Sequence, residues 1–158
     1  MTTTADAIVT LTDRMAFEAV SGSNHRLILD APLEAGGEDR GPRPVEVLLM
    51  ALGGCTGMDV VSILRKKRQD VSRYEVRVHG ERVDGHPAVF ETIEVEHVIH
   101  GRNLQPEAVR RAVELSATKY CPISAMLSAS VQILERWRVV DDVSGVETAG
   151  ALEHAIAD

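Results

Sequence analysis

The chain has 158 residues, with 17 Lys and Arg against 24 Asp and Glu, for a formal net charge of −7. This length suits one ordinary domain, and 44% hydrophobic with 26% charged residues is typical of a soluble globular protein. The negative charge and 3% aromatic content argue against nucleic-acid binding, which needs clustered positive charge or aromatic stacking platforms. We identify no run of about 18 apolar residues that would span a membrane, and no basic region followed by an apolar one at the N-terminus, so we expect a cytoplasmic protein.

The N-terminal part predicts a β-meander. Three short extended runs, separated by turn-forming residues, cover Ala7–Leu11, Ala16–Val20 and Arg26–Asp30. The segment Glu34–Pro44 is rich in Gly, Pro and charge, and it predicts a loop.

The segment Val45–Lys67 carries apolar residues on nearly every helical face, which predicts a buried central helix of roughly 35 Å at 1.5 Å per residue. It closes with the basic run Arg65–Arg68. Cations at this end complement the helix dipole, so the run is explained by a solvated helix end and not by nucleic-acid binding.

The second half of the chain predicts a hairpin, two helices and a closing strand. Alternating residues predict strands Tyr74–Arg82 and Phe90–His100, and helices follow at Pro106–Thr118 and Ile123–Leu134 before a strand at Trp137–Val140. We therefore expect one domain over residues 1–140. Residues 141–158 form an acidic, Ala-rich tail that we expect to be frayed, with a short helix over residues 149–157 as the alternative.

The only two cysteines stand at unusual places. Cys55 follows Gly53-Gly54 inside the apolar helix, and a glycine there costs roughly 1 kcal/mol relative to alanine, so the pair predicts close approach of another element. Cys121 precedes Pro122 at an apparent helix start, where free N–H groups and the dipole favour a thiolate and a depressed pKa. If the fold brings them together they form a dithiol redox site; ordinary buried cysteines are the alternative.

Other polar residues are candidate metal ligands or candidate modifiers of the thiols. Asp59 lies one turn beyond Cys55 on the same helix face, where it could raise the thiol pKa, hydrogen-bond a partner or simply face solvent. His97 and His100 are three apart on a strand and point to opposite faces, so they cannot share a metal. The histidines therefore predict no metal site.

Two motifs carry a family resemblance. The segment Pro44–Cys55 and the segment Lys119–Ser124 resemble the OsmC/Ohr family of thiol-dependent peroxidases, and the resemblance covers about residues 7–140. Within that family, Asp59–Leu64 and Gly101–Leu104 look most like the OsmC-like, YhfA-type branch. The resemblance implies an α+β, OsmC-like fold with antiparallel β-sheets around a long buried central helix. It also implies an intertwined homodimer with sites at the subunit interface.

The resemblance also implies roles for the cysteines. Cys55 matches the peroxidatic cysteine, whose thiolate attacks the O–O bond and becomes a sulfenic acid. Cys121 matches the resolving cysteine, which forms a disulfide that an external dithiol of lipoyl type reduces. The expected partners are a peroxide and this reductant, the expected role is antioxidant stress response, and no metal or prosthetic group is needed.

The family uses an arginine that activates the thiolate and a glutamate that holds the arginine. Arg14 is the first choice for the arginine, with Arg40 and Arg43 behind it. The family glutamate directly follows the proline, where this chain has Val45; Glu46 comes one residue later, about 100° around the helix. Arg14 and Glu46 are therefore predicted catalytic residues beside the two cysteines.

Three functions follow in order of preference. The first is a peroxidase that reduces organic hydroperoxides or hydrogen peroxide. The second is a redox sensor or small-molecule binding protein with little turnover, which the shifted Glu46 favours. The third is a structural dimer with inert cysteines.

Overall fold

The computed structural model describes residues 4–152. The chain forms two compact units, Met1–Leu48 and Leu49–Asp158, which are described in turn. Both contain antiparallel strand pairs, and the chain as a whole is α+β, as the family resemblance implied. The extent of a single domain over residues 1–140 stays a prediction.

The first unit is built on a three-stranded antiparallel meander in the order β1-β2-β3, which confirms the predicted meander. Its loop after β3 is organised by Asp30, whose buried carboxylate accepts hydrogen bonds from the N–H groups of Ala31, Glu38 and Arg40 at 2.8, 3.2 and 3.1 Å. The strands are β1 Ala7–Asp13, β2 Ala16–Ser21 and β3 Arg26–Leu29, followed by a 3₁₀ turn at Leu33–Ala35.

Helix α1, Pro44–Lys66, begins in the first unit and continues through the second. Proline suits the first helical position, and the Glu46 carboxylate accepts the Arg43 N–H at 2.8 Å, which satisfies a free donor at the helix start. At the other end Arg68 has a positive φ of 55°, and the Gln69 N–H returns to the Leu64 carbonyl at 3.0 Å. This backbone reversal ends the helix.

The prediction that α1 is buried on every face is wrong for the single chain. Its buried residues form one stripe, while Met50 and Met58 are 59% and 69% exposed. The stripe comprises Leu52, Gly53, Thr56, Val60 and Leu64.

The expectation that no segment could span a membrane also needs correction. By length and composition alone, α1 is long and apolar enough to do so. A core helix of a soluble protein meets the same criterion, so the observation does not by itself assign a membrane location.

The second unit is built on a four-stranded sheet in the order β4-β5-β6-β7. Strands β4 and β5 pair antiparallel as the predicted hairpin, β5 and β6 pair in parallel, and β7 runs antiparallel to β6. The strands are β4 Asp70–Arg82, β5 Phe90–Arg102, β6 Gln132–Asp141 and β7 Glu147–Ala151. Between β5 and β6 lie α2 Pro106–Leu115, a π-helical turn Ser116–Tyr120 and α3 Pro122–Leu127.

The core of this unit joins α1, the sheet and α2. Val60 and Leu64 of α1 pack in one cluster with Val109 and Val113 of α2. Ile99, Ala112, Trp137 and Val139 complete its buried members.

The predicted ends of the last elements are wrong in two places. Helix α3 stops at Leu127 instead of Leu134, because β6 begins at Gln132 and continues the period-two burial through Ile133 and Glu135. The tail is not frayed over residues 147–151: these form β7, which pairs with β6 and is tied to it by a 3.0 Å ion pair between Arg138 and Glu147. The alternative helix is excluded at residues 149–151, and residues 153–157 lie outside the described part of the chain.

Candidate active site

Cys55 lies in the middle of α1 and follows Gly53 and Gly54, the first of which allows strand β4 to pack closely against the helix. A Cβ on Gly53 would lie 2.9 Å from Cγ2 of Val78 in β4, so only glycine lets the strand approach this closely. This confirms the predicted close approach at Gly53. At Gly54 such a Cβ would meet no atom of another element within 4 Å among the described residues.

Cys121 is placed by the π-helical turn that ends α2 and by the start of α3. Its N–H donates to the Ser116 carbonyl at 3.0 Å, and its sulfur accepts the Ser124 N–H at 3.4 Å. The thiol therefore caps the N-terminus of α3, with Pro122 at the first helical position as predicted. Cys121 is buried and the Cys55 side chain is half-buried.

The fold brings the two cysteines together. The Sγ atoms of Cys55 and Cys121 and a carboxylate oxygen of Asp59 all lie within 4.8 Å of one another, and both cysteines are free thiols. This juxtaposition is the condition that the sequence analysis set for a dithiol redox site.

The surroundings of Cys55 favour its thiol form. Burial raises its pKa to about 11, assisted by a hydrogen bond with Cys121 and by the negative charges of Cys121 and Asp59; the Ile123 N–H acts in the opposite direction. Within residues 49–152, the two charged groups that shift the Cys55 pKa, Cys121 and Asp59, therefore both raise it. Of the three roles considered for Asp59, the like-charge effect and the hydrogen-bonding role are confirmed.

Two hydroxyl groups hold Asp59 in place. Ser116 Oγ donates to Asp59 Oδ2 at 3.1 Å, and the Thr56 hydroxyl donates to Ser116 Oγ at 2.8 Å. Thr56 and Ser116 are fully buried. Neither residue was predicted from the sequence, although Ser116 continues the apolar stripe of α2 from Val109 and Val113, which is a detectable signal for a buried polar residue.

The predicted arginine and glutamate lie in the first unit. Arg14 occupies the turn between β1 and β2 and forms a 3.7 Å ion pair with Glu38. Glu46 contacts Arg43 through the backbone bond described above and through a 3.4 Å ion pair with its guanidinium group. Arg40 pairs with Glu38 at 3.2 Å. The roles of Arg14 and Glu46 at Cys55 stay predictions.

A second polar cluster, Tyr74–His97–Glu135, lies within the second unit and was not predicted. Tyr74 Oη donates to His97 Nδ1 at 2.6 Å, and His97 Nε2 donates to Glu135 Oε2 at 3.2 Å. His97 is fully buried and Glu135 nearly so. Burial, followed by the charges of Glu135 and Asp59, raises the pKa of Tyr74 well above its usual range, so the phenol stays a donor.

A cavity of about 370 Å³ opens beside Asp59. Its wall combines two lysines with apolar and polar side chains. The lining residues are Asp59, Ser62, Ile63, Lys66, Lys67, Leu115 and Tyr120.

Comparison with known proteins identifies the family. The family model described as OsmC-like protein matches residues 36–135. Protein YhfA of Escherichia coli (strain K12) is 42% identical over 126 residues, which cover 80% of this chain and 91% of YhfA.

Solved structures agree with this relationship. A hypothetical protein from Aquifex aeolicus VF5 has 30% identity and a TM-score of 0.77, covering 89% of this chain and 99% of its own. An organic hydroperoxide resistance protein OsmC from Legionella pneumophila shares the fold, with a TM-score of 0.61, 15% identity and coverage of 89% and 98%. The chain belongs to the OsmC-like protein family.

Proposed function

We propose that this protein is a thiol-dependent peroxidase that reduces organic hydroperoxides or hydrogen peroxide. The observation that carries the proposal is the approach of two free thiols, Cys55 and Cys121, to within 4.8 Å. The Legionella pneumophila protein of the same fold is an organic hydroperoxide resistance protein, which supports a peroxide as the substrate class.

The reaction has three steps. The Cys55 thiolate attacks the O–O bond, takes one oxygen as a sulfenic acid and releases an alcohol, or water from hydrogen peroxide. The Cys121 thiol then attacks the Cys55 sulfur, which forms a disulfide and releases water. An external dithiol reduces this disulfide to two thiols and is itself oxidised to a disulfide. A lipoyl-type dithiol is the proposed donor.

Cys55 is the nucleophile because it is the more exposed of the two sulfur-bearing residues, while Cys121 is buried at the start of α3. Arg14 and Glu46 are the proposed activating pair. Glu46 already contacts one arginine, Arg43, which makes Arg43 the alternative to Arg14.

The working form is proposed to be a cytoplasmic homodimer. The exposed methionines Met50 and Met58 leave apolar surface on α1, and a second copy of the chain would cover it. The proposed single domain over residues 1–140 would supply both units to each subunit.

The test is peroxide consumption by pre-reduced protein under dithiol turnover, with cumene hydroperoxide and hydrogen peroxide measured in parallel. Cys55→Ser should abolish consumption, whereas Cys121→Ser should allow one oxidation and leave a trapped sulfenic acid. Far-UV circular dichroism controls for folding of both variants. Wild-type turnover that survives Cys55→Ser would contradict the proposal.

The alternative is a redox sensor or small-molecule binding protein of the same fold. The raised pKa of Cys55 favours it, because little thiolate is present near neutral pH and attack on peroxide is correspondingly slow. A disulfide that forms over many minutes without sustained peroxide consumption would support this second function.

A further inference from the structure

The three donor atoms at the active site form a set that suits a metal ion. Cys55 and Asp59 stand one helical turn apart on α1, and Cys121 reaches the same point from the start of α3. Two elements of secondary structure therefore fix two sulfurs and one carboxylate oxygen within 4.8 Å of one another.

Within residues 49–152, no basic side chain forms an ion pair with this set. With both sulfurs ionised, the three groups carry three negative charges. The partner of the Asp59 carboxylate is the neutral Ser116 hydroxyl, and within residues 49–152 no lysine or arginine forms an ion pair with Asp59. Lys66 and Lys67 line the adjoining cavity but form no ion pair with Asp59. A divalent cation would supply the missing charge.

The distances and donor types select one class of cation. Bonds of about 2.3 Å to sulfur and 2.0–2.2 Å to carboxylate oxygen place the donors of a tetrahedral zinc ion roughly 3.5 to 3.8 Å apart. The side chains of Cys55, Asp59 and Cys121 reach that spacing by closing about 1 Å from their widest separation. Two thiolates favour Zn²⁺ and similar soft cations over Mg²⁺ or Ca²⁺.

We propose that the reduced protein binds one thiophilic divalent cation, of which Zn²⁺ is the type, through Cys55 Sγ, Cys121 Sγ and the Asp59 carboxylate. Binding by the two thiols and the carboxylate releases two protons. Three protein ligands leave a fourth position for water. The Ser116 hydroxyl, itself bonded to Thr56, orients the carboxylate through Oδ2 and leaves Oδ1 for the cation.

Metal binding would inhibit peroxide reduction, and this consequence rests on the proposed peroxidase function. The metal binding itself does not depend on that function. A cation that holds both sulfurs blocks peroxide attack by Cys55 and disulfide formation. Release of the cation returns two protons to the thiols, and oxidation of the freed dithiol by one hydroperoxide then yields the disulfide, an alcohol and water. The metal and the peroxide therefore compete for the same dithiol.

The experiment titrates pre-reduced, metal-free protein with Zn²⁺ against a chromophoric chelator, and with Cd²⁺ while the thiolate-to-cadmium absorption is recorded. One ion per chain should bind. Cys55→Ser, Cys121→Ser and the near-isosteric Asp59→Asn should each weaken binding by about 100-fold or more, because even loss of an outer-shell partner costs 10- to 100-fold. Asp84→Asn, at an exposed carboxylate in the β4–β5 loop, is the matched control and should bind like wild type.

Disulfide-bonded protein should not bind, and dithiothreitol treatment followed by desalting should restore binding. Absence of stoichiometric binding, or wild-type affinity in any of the three ligand variants, would overturn the proposal. Peroxide consumption is measured separately in chelator, so a failure of metal binding and a failure of peroxidase activity are distinguished.

Discussion

In the second unit, two faces of α1 adjoin polar clusters of opposite character. On the side of β4, Gly53 and Gly57 leave room for the side chains of Val76, Val78 and Tyr74. There Tyr74 donates a hydrogen bond to His97, which donates one to Glu135. Towards the π-helical turn, the second face gathers two thiols and a carboxylate.

The difference separates a structural cluster from a reactive one. In the first, the Tyr74 and His97 protons both have acceptors, whereas Glu135 Oε1 is buried without a hydrogen-bond partner among the described residues. In the second, burial and neighbouring negative charge oppose ionisation of Cys55, and no cation within residues 49–152 offsets them. Thiols whose pKa is perturbed by burial and by a nearby charge are typical of functional sites.

The largest effect in the comparison is expected from His97→Ala. The variant removes the donor to the buried Glu135 carboxylate and the acceptor for Tyr74, and leaves a cavity. Loss of one partner of a buried charged group costs about 3 to 5 kcal/mol. Urea denaturation should show a fall of that size in the free energy of unfolding.

Tyr74→Phe is the matched control, because it removes only the hydroxyl at the outer end of the same cluster. It should cost about 1 to 2 kcal/mol and leave peroxide consumption by the folded protein within about twofold of wild type. A large loss of consumption in Tyr74→Phe would mean that the cluster belongs to the active site, and the contrast between the two faces would fail.

Gly53→Ala is expected to have an intermediate effect. The added methyl group would meet Val78 Cγ2 at 2.9 Å, and overpacking of this kind costs about 1 to 3 kcal/mol. Gly54→Ala, with nothing within 4 Å in the described residues, should instead gain up to about 1 kcal/mol from helix propensity. Thermal denaturation of the pair measures both; equal effects of the two variants would refute the close packing of β4 at Gly53.

The smallest effect concerns the pH dependence of the first oxidation. A thiol whose pKa is raised to about 11 carries little thiolate at neutral pH, so the wild-type rate should climb about tenfold per pH unit between pH 7 and 10. Asp59→Asn removes a negative charge that raises this pKa. The profile should move to lower pH, and the rate at pH 8 should rise a few-fold.

This rate is measured by stopped flow in the presence of chelator, so that bound metal does not contribute. Glu114→Gln, a change of charge on α2, serves as the control. A profile that stays in place or moves to higher pH in Asp59→Asn would show that the carboxylate does not act on Cys55 through its charge.

Local patterns predicted the meander, the hairpin and α1, because alternation and turn residues act within a few positions. They also predicted that Gly53 and Asp59 would matter, because a glycine inside an apolar helix indicates close packing and Asp59 lies one turn from Cys55 on the same helix. The end of α3 was missed because β6 is fixed by parallel pairing with β5, which lies on the other side of α2 and α3 in the chain. Strand β7 was missed because its Ala and Gly residues have low strand propensity, and it is held by pairing with β6. Tertiary pairing overrides local propensity at such positions.

The site shows the same division. The two cysteines were found from their motifs, whereas Thr56, Ser116 and the Tyr74–His97–Glu135 cluster were not. Hydrogen bonds spanning 60 and 38 positions do not identify their partners in the local sequence, and only the burial of Ser116 and His97 leaves a local signal. His97 is the instructive case, since it lies between the buried residues Val95 and Ile99 on one face of β5. A histidine on an apolar strand face signals a buried partner.

The most direct test of the account is the product of one equivalent of peroxide added to pre-reduced protein, followed by thiol blocking and peptide mapping by mass spectrometry. The proposed mechanism predicts an intrachain disulfide between Cys55 and Cys121. The linked peptides should weigh two hydrogen atoms less than the two free peptides, and the disulfide should be absent from both serine variants. Two unmodified thiols, or over-oxidation of Cys55 with Cys121 still reduced, would contradict the claim that this fold holds a working dithiol.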